Sequence, residues 1–212
     1  MIDIILLALV AAFVALRLRS VLGTRNEFDE PENPKAPMTQ RTDSQTTAPA
    51  PVADLSQYRK LSGAMKRSLQ SIIDKDHSFD LGHFEEGAKG AYGMILSAFW
   101  DGDLGDVETY LADDVKAMFE QAVEDRNAQG LTVENRLIDI DDVDFEKMSV
   151  RKGVAEITLR FSSQIVAITR NAAGDVVEGS MTDTVEMIDI WTFSRNLDSD
   201  DPNWVLVATM AE

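Results

Sequence analysis

The chain opens with 13 consecutive apolar residues, 4–16, followed by Arg17, Leu18, Arg19, Ser20, Val21 and Leu22. As a helix the unbroken run rises only about 20 Å, short of a hydrocarbon core of about 30 Å. Residues 2–22 would reach about 31 Å, with Arg17 and Arg19 snorkelling to the interface. A cleaved signal peptide needs bases ahead of the apolar run, and Asp3 is the only charge there. A buried core helix has no neighbour to pack against, because a long polar stretch follows. Membrane anchorage over 1–23 fits best. Arg17, Arg19 and Arg25 then place the rest of the chain on the cytoplasmic side, with a very short N-terminus outside.

Over 24–56 the apolar periodicity vanishes. Five of the six prolines lie there (Pro31, Pro34, Pro37, Pro49 and Pro51), among Thr, Gln, Ala, Asp and Glu. Such a segment cannot bury enough surface to offset the entropy of ordering, so a disordered linker is expected. A helical period returns over 59–75, where Leu61, Met65, Leu69, Ile72 and Ile73 share one face and Arg59, Lys60, Lys66 and Arg67 lie off it. This basic amphipathic segment, 57–80, either meets anionic headgroups or packs on the domain or a partner with its bases solvated.

The remainder, 81–212, changes period part-way. Phe84, Ala88, Ala91, Ile95, Ala98 and Phe99 predict a helix over 84–100. Gly87, Gly90 and Gly93 lie inside it. Each glycine costs about 1 kcal/mol against alanine, which implies close approach of another helix or the sheet. A phosphate loop is a poor reading of them, since the Lys-Ser/Thr ending is missing. Asp101-Gly-Asp-Leu-Gly-Asp106 has the look of a calcium loop, but its twelfth position holds Ala112 instead of a bidentate Glu, so turn and capping duty is expected. A short helix over 106–111 and a longer one to about 128 follow, capped by Asp113 or Asp114 and closed by Gly130. After Gly130 the period is two. Strands are expected over 137–146, 155–167, 176–195 (with a bulge near Gly179) and 203–210, with a hairpin turn at Asn171-Ala-Ala-Gly-Asp175. Three helices followed by a four-stranded antiparallel meander make an α+β class, with helices packed on a curved sheet.

Composition narrows the chemistry. The chain has 212 residues, no Cys, two His and a net charge of −17. Disulfides, thiolate metal sites, iron–sulfur ligation and a Cys nucleophile are excluded, and a His-rich metal centre is impossible. Nucleic acid should be repelled. The charge is divided: the first 25 residues carry +2, residues 26–56 −4 and the remainder −15, while 57–75 alone carries +4. His77 and His83 read as exposed or capping residues, and no catalytic set, cofactor or metal site is predicted. The acidic run Asp139, Asp141, Asp142, Asp144 and Glu146 reads as the solvated face of an edge strand. Asp189 is the anomaly, an acid in phase with Met187, Trp191 and Phe193. It needs a partner, with Arg160 or Arg195 expected, or it marks the mouth of a pocket lined by Trp100, Phe161, Trp191, Phe193 and Trp204.

These residues converge on a family. Phe84-Glu-Glu-Gly-Ala-Lys-Gly-Ala-Tyr92, with Ala98-Phe99 and Gly102-Asp103 after it, resembles the opening of the Tim44-like domain. Phe-Glu-Gln-Ala-Val-Glu-Asp-Arg-Asn-Ala-Gln-Gly, ending at Gly130, resembles its second signature. The strand motifs from Ala155, Asp189 and Asp201 resemble the rest, so the likeness covers about 84–209. The apolar N-terminus with Leu16-Arg-Leu-Arg19 is similar to bacterial TimA-type members. The resemblance implies a fold of the nuclear-transport-factor-2 superfamily and a membrane-associated adaptor. The mitochondrial relative tethers a matrix Hsp70 chaperone to the inner-membrane preprotein translocase, and its C-terminal domain binds anionic lipid. The chain departs from it in lacking the long N-terminal region linked to chaperone contact, which leaves chaperone recruitment in doubt. The lipid contact maps onto 59–75, and Asp189, Trp191 and Phe193 become core signature.

Two functions follow. One is a non-enzymatic adaptor at the bacterial inner membrane, presenting its domain to membrane-associated proteins and anionic lipid. The other is a tethered small-molecule-binding domain or enzyme using the concave pocket.

Overall fold

The computed structural model describes residues 60–212. The anchor expected over 1–23, the linker over 24–56, and Arg17, Arg19 and Arg59 lie outside the described residues. No helix among the described residues is long and apolar enough to cross a membrane.

Among the described residues, four helical elements come first. Helix α1 spans Gly63–Lys75, with Ser62 accepting the Met65 N–H at its start. Helix α2 spans Leu81–Asp101. It begins earlier than the apolar period predicts, because the Asp80 carboxylate accepts the His83 N–H at 2.7 Å and caps the first turn. Gly102 ends α2 at φ 78°. A Cβ there would be strained by that φ and would meet Val123 and Arg126 at 3.2 Å. Gly102→Ala should therefore cost about 1 kcal/mol, seen as a lower urea midpoint with an unchanged m-value. A 3-10 turn, Gly105–Tyr110, leads to helix α3, Asp113–Ala128. The cap expected from Asp113 or Asp114 is not formed. The N-cap is Ala112, whose N–H donates to the Leu206 carbonyl at 2.9 Å, so the last strand fixes the helix start. Asp113 and Asp114 instead sit in the first turn, where acids favour the helix dipole. Gly130 follows α3 at φ 66°.

Seven strands complete the order: β1 Thr132–Val133, β2 Arg136–Arg151, β3 Val154–Val166, β4 Ile168–Arg170, β5 Val176–Gly179, β6 Val185–Asn196 and β7 Val205–Ala211. The expected antiparallel meander is the main sheet, ordered β2-β3-β6-β7. A small second sheet, β1-β4-β5, was not foreseen. It arises because the long hairpin strands break. Gly179 sits at φ 85°, and a Cβ there would lie 1.9 Å from the Ala167 carbonyl oxygen. The two backbones cross so closely that the chain turns away, and β6 starts afresh at Val185. The hairpin turn itself forms as expected, with Asn171 N–H donating to the Asp175 carbonyl at 3.0 Å.

On β3 the residues Ala155, Ile157, Leu159 and Phe161 are fully buried, and their alternates are exposed or half-buried. Among the described residues, helices therefore cover one face of the sheet. On β2 three register shifts reset the phase, so Leu137, Ile140 and Val143 face inward at intervals of three. Within two of these irregular stretches Asp139 and Asp142 accept the N–H of the next residue, Ile140 at 2.9 Å and Val143 at 3.0 Å. The acidic run thus lies on an edge strand, as its alternation suggested.

The inward face of α2 is Phe84, Ala88, Tyr92, Ile95, Leu96 and Trp100. Ala91, Ala98 and Phe99 are only partly buried. Among the described residues, close approach is absent at Gly87 and Gly90, where a Cβ would meet nothing within 4 Å, and a Cβ at Gly93 would meet Leu137 at 3.6 Å.

Candidate functional site

The polar centre of the core is three residues from three elements. Tyr92 of α2 donates its hydroxyl to Asp189 Oδ2 of β6 at 2.7 Å. The same hydroxyl lies 3.0 Å from Ser163 Oγ of β3. Ser163 in turn reaches the Met187 carbonyl at 3.3 Å. Asp189 is therefore partnered by a tyrosine and not by the arginines that charge pairing suggested. Arg160 is on the other face of the sheet and binds Glu212 at 3.0 Å, while Arg195 binds Asp76 at 2.7 Å.

Burial pushes the Asp189 carboxyl above its ordinary range, and the Tyr92 hydrogen bond pulls it partly back. Burial, reinforced by the Asp189 charge, pushes the Tyr92 hydroxyl far above its ordinary value, so it is always a donor. Proton counting constrains the network further. Once Tyr92 donates to Asp189, Ser163 has one proton to share between Tyr92 and the Met187 carbonyl.

Most of the aromatic residues expected around Asp189 are joined, but as packed core. Phe161 stacks on Tyr92 with centroids 4.3 Å apart and planes at 6°. Trp191 meets Tyr92 edge-on at 4.8 Å and contacts Phe193 at 6.2 Å. Phe193 touches Phe84, which meets Trp204 at 4.8 Å. Trp100 is buried at the far end of α2 and makes no ring contact with this series among the described residues. Tyr92 is a site residue outside the apolar stripe that the 84–100 period predicts. Its signal was the four-residue step from Ala88, which places it on the inward face.

The basic segment divides in the same way. Leu61, Leu69 and Ile72 of its apolar stripe belong to the domain core. The bases lie at the rim. Lys60 pairs with Asp142 at 3.9 Å and Asp144 at 3.7 Å, Lys66 is partly buried, and Arg67 is exposed. At the other end Lys75 pairs with Asp198 and Asp76 with Arg195, a clamp between α1 and the end of β6.

Comparison with known proteins gives this arrangement a family. The Tim44-like domain model matches residues 65–211, from α1 to the end of β7. The chain belongs to the Tim44-like domain family. Its curated relatives include the human mitochondrial import inner membrane translocase subunit TIM44, 25% identical over 139 residues. The mouse protein of the same name is 22% identical over the same length. In each case the match takes in 65% of this chain and 31% of the relative, so the chain spans about a third of the length of the relatives it matches. Among solved structures, the intermembrane space region of the chloroplast protein ARC6 aligns with a TM-score of 0.43 at 10% identity, covering 61% of this chain and 94% of that one.

Proposed function

We propose that this chain is a non-enzymatic adaptor that presents a Tim44-like domain, of nuclear-transport-factor-2-like arrangement, to protein partners at the cytoplasmic face of a bacterial inner membrane. The observation that carries the reading is the family match, which takes in almost the whole described domain and whose curated relatives are named as translocase subunits. In this reading residues 1–23 anchor the chain, 24–56 form the tether, 57–80 supply a basic rim facing anionic lipid, and 81–212 bind the partner. A tether of this kind raises the effective concentration of the domain near the membrane without fixing its orientation. The interior supports an adaptor: Tyr92, Ser163 and Asp189 are spent on one another, and the ring series around them is packed.

Crosslinking in native membranes, followed by pull-down, tests the proposal. A protein partner should be recovered with the full chain, and less of it when residues 1–23 are deleted, which leaves the described domain intact. Recovery of no partner above an untagged control would overturn the adaptor role. Protease protection in right-side-out and inverted vesicles tests the orientation. Cleavage of the domain only in the inverted vesicles is expected.

A further inference from the structure

The two edges of the main sheet are built differently. On β2, eight of the 16 residues are charged and the register slips three times. Charge and bulges are the usual means of keeping an edge from pairing with another chain. On β7 the sequence Val-Leu-Val-Ala-Thr-Met-Ala has no charge and no proline. Its open face continues the apolar character: Met210 pairs across to Ile190, and Met210 is 44% exposed. Among the described residues, the start of β7 is met from outside the sheet: Leu111 forms a parallel bridge with Leu206, and Ala112 N–H donates to the Leu206 carbonyl at 2.9 Å. Beyond it, residues 207–211 carry no charge.

The surroundings of that start are acidic. Asp113 and Asp114 follow Ala112, and Asp200 and Asp201 precede the strand, all of them exposed and all beside the start of β7. Nearby bases are engaged: Arg160 with Glu212, Lys116 with Glu108 at 2.7 Å, and Arg195 with Asp76. We propose that β7 is a strand-addition site for an extended segment of a partner protein, with small or β-branched residues along 207–211 and Lys or Arg at the end that lies beside the start of β7. Backbone hydrogen bonds supply the attachment, and the four aspartates select the basic end. The inference rests on the adaptor reading and names the kind of segment the adaptor takes.

The test uses the full chain in lipid nanodiscs and three synthetic peptides that alternate valine and threonine. One ends in lysines, one ends in glutamates, and one is lysine-ended but N-methylated along its backbone. Amide hydrogen exchange is read over 205–212. At a tenfold excess over its dissociation constant, the lysine-ended peptide should slow exchange at 207–211 about tenfold. The glutamate-ended peptide should act more weakly and the N-methylated one not at all. Met210→Lys, at an exposed position, should abolish the protection while leaving the melting temperature unchanged. Equal protection by all three peptides, or none by the first, overturns the proposal. So does a dimer of the full chain that Met210→Lys dissociates. If membrane crosslinking still recovers a partner with Met210→Lys at the wild-type level, strand addition fails and the adaptor reading stands. If no partner is recovered with either protein, the adaptor reading itself fails.

Discussion

Tyr92→Phe is expected to lower the unfolding free energy by about 1–3 kcal/mol, although it removes a single oxygen. The ring still stacks on Phe161, so no cavity opens. The loss comes from Asp189, whose half-buried carboxyl loses the tyrosine hydroxyl that donates to it. A pH signature accompanies it. The folded-state pKa of Asp189 lies above its unfolded value of about 3.9. Its contribution is therefore fully present below that unfolded value. As pH rises, the unfolded chain releases its proton while the folded protein holds on, and stability falls until the folded pKa is passed. Asp189→Asn, neutral at every pH, removes this component. The stability of the wild type relative to Asp189→Asn should thus be highest at acid pH and decline upward. In Tyr92→Phe the decline should extend to higher pH, because the hydrogen bond that restrains the shift is gone. Urea titrations of the three proteins across pH 3–8 check this; a difference that grows with pH would mean Asp189 is ionised and stabilised as a charge.

Much of this architecture was legible in the chain because periodicity reports burial directly. The change from helical period to alternation after Gly130 marks the change from α2 and α3 to the sheet. The Asn171–Asp175 turn and the polar loop before β7 set the strand order. The misreadings share a cause: a long-range contact decided a local feature. The start of α3 is set by a hydrogen bond to Leu206 and not by the neighbouring aspartates. Gly179 reads as a bulge in one strand, but its close approach to Ala167 divides the strand and creates the second sheet. Asp189 was recognisable as an anomaly, since an acid in an aromatic row needs a partner. The partner was not, because every candidate was sought among charges. A tyrosine from a helix 97 positions away in sequence satisfies it. The charge division also changes in three dimensions. Lys60, Lys75 and Asp76, read as parts of a segment ahead of the domain, pair with residues of β2 and of the β6 end, so the basic segment is tied to the acidic body it was contrasted with.

The two faces of α1 should separate in a single mutant pair. Ile72 is fully buried and Leu69 nearly so, and both belong to the same core as Tyr92 and Phe161. Ile72→Ala is expected to cost about 2–5 kcal/mol, since the removed methyl and methylene groups leave a cavity that sheet and helix cannot close. In a domain with ordinary stability of about 5–15 kcal/mol that is a large share. Arg67 is exposed on the opposite side, and Arg67→Glu should alter stability by less than about 0.5 kcal/mol. If the basic rim faces anionic lipid, the same substitution should weaken binding of the full chain's domain to anionic nanodiscs. Its effect should shrink as salt screens the attraction, while neutral nanodiscs register no change. Domain proximity to the lipid surface, read by fluorescence quenching in nanodiscs with and without anionic lipid, checks the second half; thermal or urea unfolding checks the first. An α1 that serves the membrane by leaving the domain would behave differently: Ile72→Ala would then be nearly silent in stability and would weaken the lipid contact instead. The burial of Ile72 and the clamp of Asp76 on Arg195 argue for the first outcome, in which the helix stays on the sheet and offers the membrane its bases alone.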